Sequence, residues 1–214
     1  MCFSAPASFI AGSVLSAAGI AALSQPKKKR EVPLALIPLL FGLQQLTEGL
    51  VWVSLQNGYF RLNLIATYLF GFFAQVFWPI FVPLAVFLVE PAAWRRKVII
   101  SCGGLGIVVG LYLLSTIIFY PFSSQIVAHS IQYLCPSPQV PFSIHALLYV
   151  IATCGSCLFS SHRHLRWLGV LTLIFLGISY YFYTATFASV WCFFAAIISI
   201  VIYIFFKSPS GRTI

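Results

Sequence analysis

The amino-acid sequence predicts an all-α membrane protein, a bundle of seven transmembrane helices. Of the 214 residues, 61% are hydrophobic and only 7% are charged, whereas a soluble domain carries about 25% charged residues. The hydrophobic residues fall in runs of about 20, the length that a helix needs to cross a hydrocarbon core of roughly 30 Å. We therefore expect a single transmembrane domain, residues 1–214, with no separate soluble domain.

Seven apolar runs define the predicted spans. Ser4 can cap the first helix, and Pro6 is tolerated because it falls in the first turn. Pro79 and Pro83 fall inside the third run, where they should kink the helix and free backbone carbonyl groups. The break at Thr184–Thr186 is short, so a count of six spans is the alternative. The predicted spans are residues 5–24, 33–54, 64–89, 98–119, 142–160, 168–183 and 186–206.

The second predicted span carries a polar stretch. Gln44, Glu48 and Trp52 are spaced by four residues, so they share one helix face, and Gln45 flanks that face. Glu48 is the acidic residue that falls inside a predicted span. A charged side chain near the middle of a lipid-facing helix costs about 2.5–3.5 kcal/mol. We therefore expect this face to point into the bundle or into a water-filled cavity.

The basic residues predict the orientation of the chain. Alternate linkers hold four, three and two Lys or Arg residues, the tail holds two more, and only Arg61 lies on the other side. By the positive-inside rule, the N-terminus is outside and the C-terminus is cytoplasmic. The predicted location is the plasma membrane, the inner membrane in a bacterium. Charges confined to short loops indicate contact with the lipid bilayer and its anionic lipids, so no nucleic acid is expected as a partner.

Most of the reactive side chains share the outer third of the predicted bundle. A rise of about 1.5 Å per residue puts Glu48 about 10 Å below the outer end of its helix. The candidate ligand-binding residues are Gln45, Glu48, Trp52, Gln75, Trp78 and Trp191. His145, Cys192 and Glu48 have side chains of metal-ligand type, although no metal-binding spacing supports them. A metal is therefore a hypothesis, and the cofactor content stays open.

Cys2 is the candidate catalytic residue. Removal of Met1 would leave the amine and the thiol of Cys2 together at the outer mouth of the first helix. An N-terminal nucleophile can be activated by its own amine, and the same pair can chelate a soft metal. In the alternative interpretation, Cys2 packs as a small apolar residue.

Other candidates also have structural interpretations, and three functions stay open. Glu48 would serve equally as a neutral acid hydrogen-bonded to a glutamine or histidine, and His145 as a satisfied core histidine.

The preferred function is a membrane protein with an outward-facing polar pocket for a small ligand, a sensor or carrier. The alternatives are a membrane-embedded enzyme that uses Cys2 or a metal near His145, and a structural or partner subunit. A retinal Schiff base is excluded because no lysine lies inside a predicted span.

Five short motifs are spread along the chain. They are Met-Cys-Phe-Ser-Ala at residues 1–5, the polar stretch at residues 39–52, Trp78-Pro with Pro83, Cys154 with Ser-Ser-His at residues 160–162, and Ser-Val-Trp-Cys-Phe-Phe at residues 189–194. Together they resemble a bacterial family of uncharacterised multi-pass membrane proteins that begin Met-Cys-Phe-Ser-Ala. The resemblance covers essentially the whole chain. It implies a membrane location and a seven-helix bundle, and it implies no particular activity.

The orientation can be tested with topology reporters. A reporter fused after Ile214 is expected to read cytoplasmic, and one inserted within residues 120–141 is expected to read external, because the basic linkers lie on the opposite side from that segment. Paired phosphatase and fluorescent-protein fusions measure both positions. A cytoplasmic reading for residues 120–141 would contradict the orientation and every depth derived from it.

Overall fold

The computed structural model describes residues 4–136 and 142–207, and it is mostly helical. Within these ranges there are seven helices, and six of them, all but α5, are long and apolar enough to cross a membrane. The helices are α1 Ala5–Leu23, α2 Val32–Asn57, α3 Phe60–Val89, α4 Ala93–Phe119, α5 Phe142–Val150 continued through Ser156–Leu158, α6 Arg163–Phe182 and α7 Thr184–Lys207.

The seven predicted helices are all present, and several extend beyond their predicted bounds. α4 begins at Ala93 rather than at residue 98, and α6 begins at Arg163 rather than at residue 168. These added turns carry the basic residues, whose aliphatic stems can lie along apolar surface while the charged groups reach water. The short break at Thr184–Thr186 is a 3-10 turn, so α6 and α7 are separate helices.

A β-hairpin occupies part of the segment that the sequence predicts as a loop. β1 (Ser123–Val127) pairs antiparallel with β2 (Ser130–Leu134), and Gln125 lies opposite Gln132. Ala128 in the turn has a φ of 53°, a left-handed conformation that non-glycine residues seldom adopt outside turns. The strands were missed because each has only five residues and lacks the regular alternation of apolar and polar residues that marks a half-buried strand.

The hairpin is anchored to α3, and it marks one end of the bundle, here called the hairpin end. Asn63 Nδ2 donates a hydrogen bond to Ser124 Oγ at 3.0 Å, and the Thr67 hydroxyl lies 2.8 Å from the same oxygen. Tyr133 stacks on Phe70 with ring centroids 4.5 Å apart. These contacts hold the hairpin over the helix ends.

Two π-helical turns interrupt the central helices. One covers Phe72–Phe77 in α3 and ends just before Trp78 and Pro79, and the other covers Ile151–Gly155 in α5. The Tyr149 hydroxyl donates to the Ala74 carbonyl in the first of these turns at 2.7 Å. π turns are rare and occur frequently at functional sites. They place irregular backbone in the interior of the bundle, where side chains can form hydrogen bonds with its free carbonyl and N–H groups.

Glycines allow the closest approaches between helices. A Cβ atom on Gly12 would lie 2.8 Å from Leu46 Cδ2, so α1 packs directly against α2. A Cβ atom on Gly106 would overlap the carbonyl oxygen of Pro79, so α4 packs equally closely against α3. Small residues have this role in membrane helix pairs, where van der Waals packing drives association.

Glu90 joins two linkers at the opposite end of the bundle, here called the basic end. Its carboxylate accepts hydrogen bonds from the Ser161 N–H at 2.7 Å, from the Ser161 hydroxyl, from Ser160 Oγ at 3.0 Å and from the Ala92 N–H at 3.2 Å. Arg95 Nη1 donates to the Ser160 carbonyl at 2.8 Å. Burial acts to raise the pKa of Glu90, but these hydrogen bonds outweigh it and lower the pKa below its ordinary value.

Glu90→Gln is expected to lower the free energy of unfolding by about 1–3 kcal/mol. The carboxylate oxygens accept several hydrogen bonds, whereas the amide nitrogen of glutamine is a donor and cannot accept them. The folded-state pKa lies below the unfolded-state value of about 4.3. The advantage of the wild type should therefore be full above that value and be lost as the pH falls through the lower folded-state pKa. Thermal unfolding of both proteins over this pH range measures the difference.

Glu31→Gln is the matched control for this prediction. Glu31 also accepts backbone hydrogen bonds at the basic end, from Lys27 at 2.9 Å and from Lys28 at 3.4 Å, but these bonds are exposed to solvent. Its effect should stay within about 0.5 kcal/mol. Equal losses in the two variants would contradict a specific role of Glu90.

Candidate functional site

The polar face of α2 is buried in the bundle, as expected from the cost of exposing Glu48 to lipid. Gln44, Gln45 and Glu48 are fully buried, and Trp52 is 3% exposed. Trp52 packs with Val51 and Ala66 in a small apolar cluster near the hairpin end. The face therefore lies between helices, where its polar groups need partners.

Two short hydrogen bonds connect this face to other helices. Trp78 Nε1 of α3 donates to Gln44 Oε1 at 2.6 Å. The Ser189 hydroxyl of α7 donates to Glu48 Oε1 at 2.6 Å. Phe41, one turn before Gln44, stacks on the Trp78 ring with centroids 3.8 Å apart. The polar face thus ties α2 to both α3 and α7.

Several buried polar atoms of this face have no hydrogen-bond partner within the described part of the chain. They are Gln44 Nε2, Gln45 Nε2 and Oε1, Glu48 Oε2 and Trp52 Nε1. Leaving such an atom unpaired costs about 1–3 kcal/mol, and buried polar groups in native proteins are normally satisfied by protein or by ordered water. The face therefore retains hydrogen-bonding capacity for water or for a polar group.

A cavity of about 280 Å³ lies towards the hairpin end, and we call it the outer cavity because it is the nearer of two cavities to that end. Tyr133 and Cys135 of the hairpin segment line it, together with residues of α3, α4, α5, α6 and α7. Among the lining residues described here there is no Asp, Glu, Lys or Arg. The polar and aromatic groups that matter below are Gln75, Tyr112, His145, Tyr149, Trp191 and Cys192.

A second cavity of about 60 Å³, here called the inner cavity, has an apolar lining with several thiols. Trp78 borders it, and Tyr149, Trp191 and Cys192 line both cavities. The Tyr149 and Trp191 rings meet at an angle of 62° with centroids 5.6 Å apart. Trp191 Nε1 donates to the Thr172 carbonyl at 3.2 Å. The partition between the cavities thus consists of two hydrogen-bonded aromatic rings and a thiol.

Three of the six predicted ligand-binding residues line a cavity, and three do not. Gln75 lines the outer cavity, Trp78 lines the inner one, and Trp191 lines both. The other three, Gln45, Glu48 and Trp52, are in neither lining. Glu48 is fully buried, and its hydrogen bond to Ser189 places it three residues along α7 from Cys192, which lines both cavities.

The proposed metal ligands do not form a cluster. His145 and Cys192 both line the outer cavity, whereas Glu48 is fully buried and is not in its lining. Within residues 4–136 and 142–207, no group of three or more His, Cys, Asp or Glu side chains is arranged to hold a metal ion. Cys2, the candidate catalytic residue, lies outside the described residues.

The sequence analysis assigned no role to three residues that shape the site. Tyr149 lines both cavities, Ser189 pairs with Glu48, and the Tyr112 ring lies beside His145 with centroids 5.9 Å apart. A signal existed for Tyr149, which follows His145 by four residues and so shares its helix face. Ser189 begins the motif at residues 189–194, but nothing in the sequence pairs it with Glu48, and Tyr112 carries no comparable signal.

Six long apolar helices among the described residues indicate a helical membrane protein. The chain belongs to a family of unknown function (DUF6629), whose model matches residues 1–213. This agrees with the resemblance to an uncharacterised family. No curated protein and no solved structure shows significant similarity to the chain.

Trp78→Phe is expected to lower the free energy of unfolding by about 1–3 kcal/mol, because buried Gln44 Oε1 would lose its donor. The control Trp167→Phe changes a tryptophan that is 51% exposed and should have an effect within about 0.5 kcal/mol. Adding Gln44→Leu to Trp78→Phe removes both partners and should recover part of the loss. Thermal unfolding in lipid nanodiscs measures all three, and equal stability of the two tryptophan variants would contradict the assignment.

Proposed function

We propose that the protein crosses a plasma membrane seven times and binds a small ligand in the outer cavity, as a sensor or carrier. The observation that supports this most directly is the cavity itself, about 280 Å³ in volume, close to the lower end of the range of about 300–1,000 Å³ for ligand pockets. Such pockets combine mainly apolar and aromatic walls with a few polar groups. Gln75 and His145 supply polar groups here, and Tyr149 and Trp191 supply aromatic walls.

The distribution of charge supports an outward-facing cavity. Arg95 in the first turn of α4 and Arg166 in the first turn of α6 both donate to the Ser160 carbonyl at the basic end. The cavity lies at the hairpin end, where Arg61 precedes the contacts of Asn63 with the hairpin. The positive-inside rule then places the basic end in the cytoplasm and the hairpin end outside. In a bacterium this membrane would be the inner membrane.

Glu48 acts in this proposal as a positioning residue. Its bond with Ser189 holds the part of α7 that presents Trp191 and Cys192 to the cavity two and three residues later. Gln44 acts in the same way through Trp78, which borders the inner cavity. The polar face of α2 thereby determines the shape of the cavity wall without contributing to its lining.

Ala146→Phe tests whether the outer cavity is an accessible pocket. Ala146 lines the cavity, so a phenyl group there should block it. The rate at which N-ethylmaleimide modifies Cys192 should fall by about an order of magnitude, because the reagent must reach the thiolate. Leu147→Phe, at the next position and 60% exposed, should leave the rate unchanged. Peptide mass spectrometry of protein in nanodiscs locates the modified cysteine.

The same pair of variants tests ligand binding. Small molecules extracted from purified wild type, Ala146→Phe and Leu147→Phe are compared by mass spectrometry. A molecule enriched with wild type and Leu147→Phe, and absent from Ala146→Phe, is the expected result. An unreactive Cys192 in the wild type, together with identical extracts from all three proteins, would contradict a ligand-binding function.

A further inference from the structure

The two cavities adjoin each other at three shared residues. Tyr149, Trp191 and Cys192 belong to both linings. The Tyr149 hydroxyl and the Trp191 indole are each held by one hydrogen bond to a backbone carbonyl, at 2.7 and 3.2 Å. A ligand that extends from one cavity into the other therefore has to pass these two rings.

The path changes from polar to apolar along its length. In the outer cavity, Gln75, Tyr112 and Thr116 offer hydrogen-bonding groups beside His145. The inner cavity is bordered mainly by apolar side chains and by thiols, and its lining includes Ile37, Val82, Leu168, Ala195, Cys154 and Cys157. The three hydroxyl groups in this lining, those of Thr153, Thr172 and Ser199, already donate to backbone carbonyls of their own helices. A molecule that fills both spaces would need a polar group at one end and an apolar chain at the other.

The linings also indicate the charge of that molecule. Neither contains Asp, Glu, Lys or Arg among the described residues, and His145 is the one histidine among them. An ionised group taken into such surroundings needs a partner of opposite charge. Glu48 lies outside both linings, and its Oε1 already accepts from Ser189. A neutral polar group meets the lining without an uncompensated charge.

We infer that the ligand class is a neutral, single-chain amphiphile, such as a long-chain alcohol or amide. Its polar group binds beside Gln75 and His145, and its chain passes between Tyr149 and Trp191 into the inner cavity. The inner cavity, about 60 Å³ against about 280 Å³ for the outer one, takes the end of one chain and not a second chain. This inference rests on the proposed function, because it requires the outer cavity to be a binding site.

The test uses straight-chain alcohols from butanol to dodecanol as probes, with alkanoates and alkylamines of the same lengths. Each probe is added to protein in nanodiscs at known free aqueous concentration, and protection of Cys192 from N-ethylmaleimide is measured. The half-protecting concentration of the alcohols should fall by up to about fourfold per methylene group until the inner cavity is full, and then level off. Cys102, which lies in α4 outside both linings, reports any general effect of the probes on the bilayer.

Two variants change the capacity of the inner cavity in opposite directions. Ala195→Phe should make the alcohol series level off at a shorter chain, and Leu168→Ala should move that point to a longer chain, since both residues line the inner cavity. Ile197→Phe is the control for the first variant, because Ile197 is on the same helix and is 46% exposed. It should leave the series unchanged.

The outcomes separate this inference from the function on which it rests. The inference fails if short alcohols protect Cys192 but chain length has no effect. It fails equally if neither Ala195→Phe nor Leu168→Ala moves the point where the series levels off. In both cases the outer cavity remains a ligand-binding pocket. Better protection by alkanoates or alkylamines overturns the neutral class alone. If no alcohol protects Cys192, the inference fails. The proposed function fails with it only if Cys192 is unreactive in the wild type and the extracts of wild type, Ala146→Phe and Leu147→Phe are also identical.

Discussion

The two hydrogen bonds from the buried face of α2 determine how the other central helices are arranged. Between apolar helices in a bilayer, lipid competes equally well for apolar surface, so apolar contacts alone specify helix register weakly. The bonds from Trp78 to Gln44 and from Ser189 to Glu48, both 2.6 Å long, have directions and fixed partners. They set α3 and α7 at one register against α2. Trp78, Trp191 and Cys192 then border the cavities as a consequence of that register.

The cavities lie where helical regularity is broken. The π turn before Pro79 brings the Ala74 carbonyl within reach of Tyr149, and both residues line the outer cavity. The second π turn contains Cys154, which lines the inner cavity. Irregular backbone inside a membrane is tolerated where protein or a cavity satisfies it. The polar face of α2 and the π turns thus have complementary roles, one fixing the helices and the other opening space between them.

Six of the seven helices could be predicted from the sequence because the thickness of a bilayer imposes a length on their apolar runs, and α5 could be predicted from its apolar composition. The burial of Glu48 followed from its cost in lipid. The division of residues between the cavities could not be predicted. Depth along the helix axis orders Glu48, Gln75 and His145 by distance from one end, but it does not specify their positions around the bundle. Glu90 posed the same problem: next to a proline it resembles an ordinary loop acid, and its partners Ser160 and Ser161 lie about 70 residues away in sequence.

The basic end of the bundle is closed by a hydrogen-bonded network, whereas the hairpin end contains the outer cavity. At the basic end, Glu90 and Arg95 join the linker after α3 to the linker after α5 through several hydrogen bonds, and the lowered pKa of Glu90 keeps that acid ionised at neutral pH. A carrier that opened the bundle at this end would have to break this network, whereas a sensor of the proposed kind would leave it intact. The Trp191 ring lines the wall of the outer cavity, and Ser189 on the same turn contacts Glu48. If a ligand occupies the cavity as proposed, displacement of the ring would act on α7 close to this contact and so on the polar face of α2.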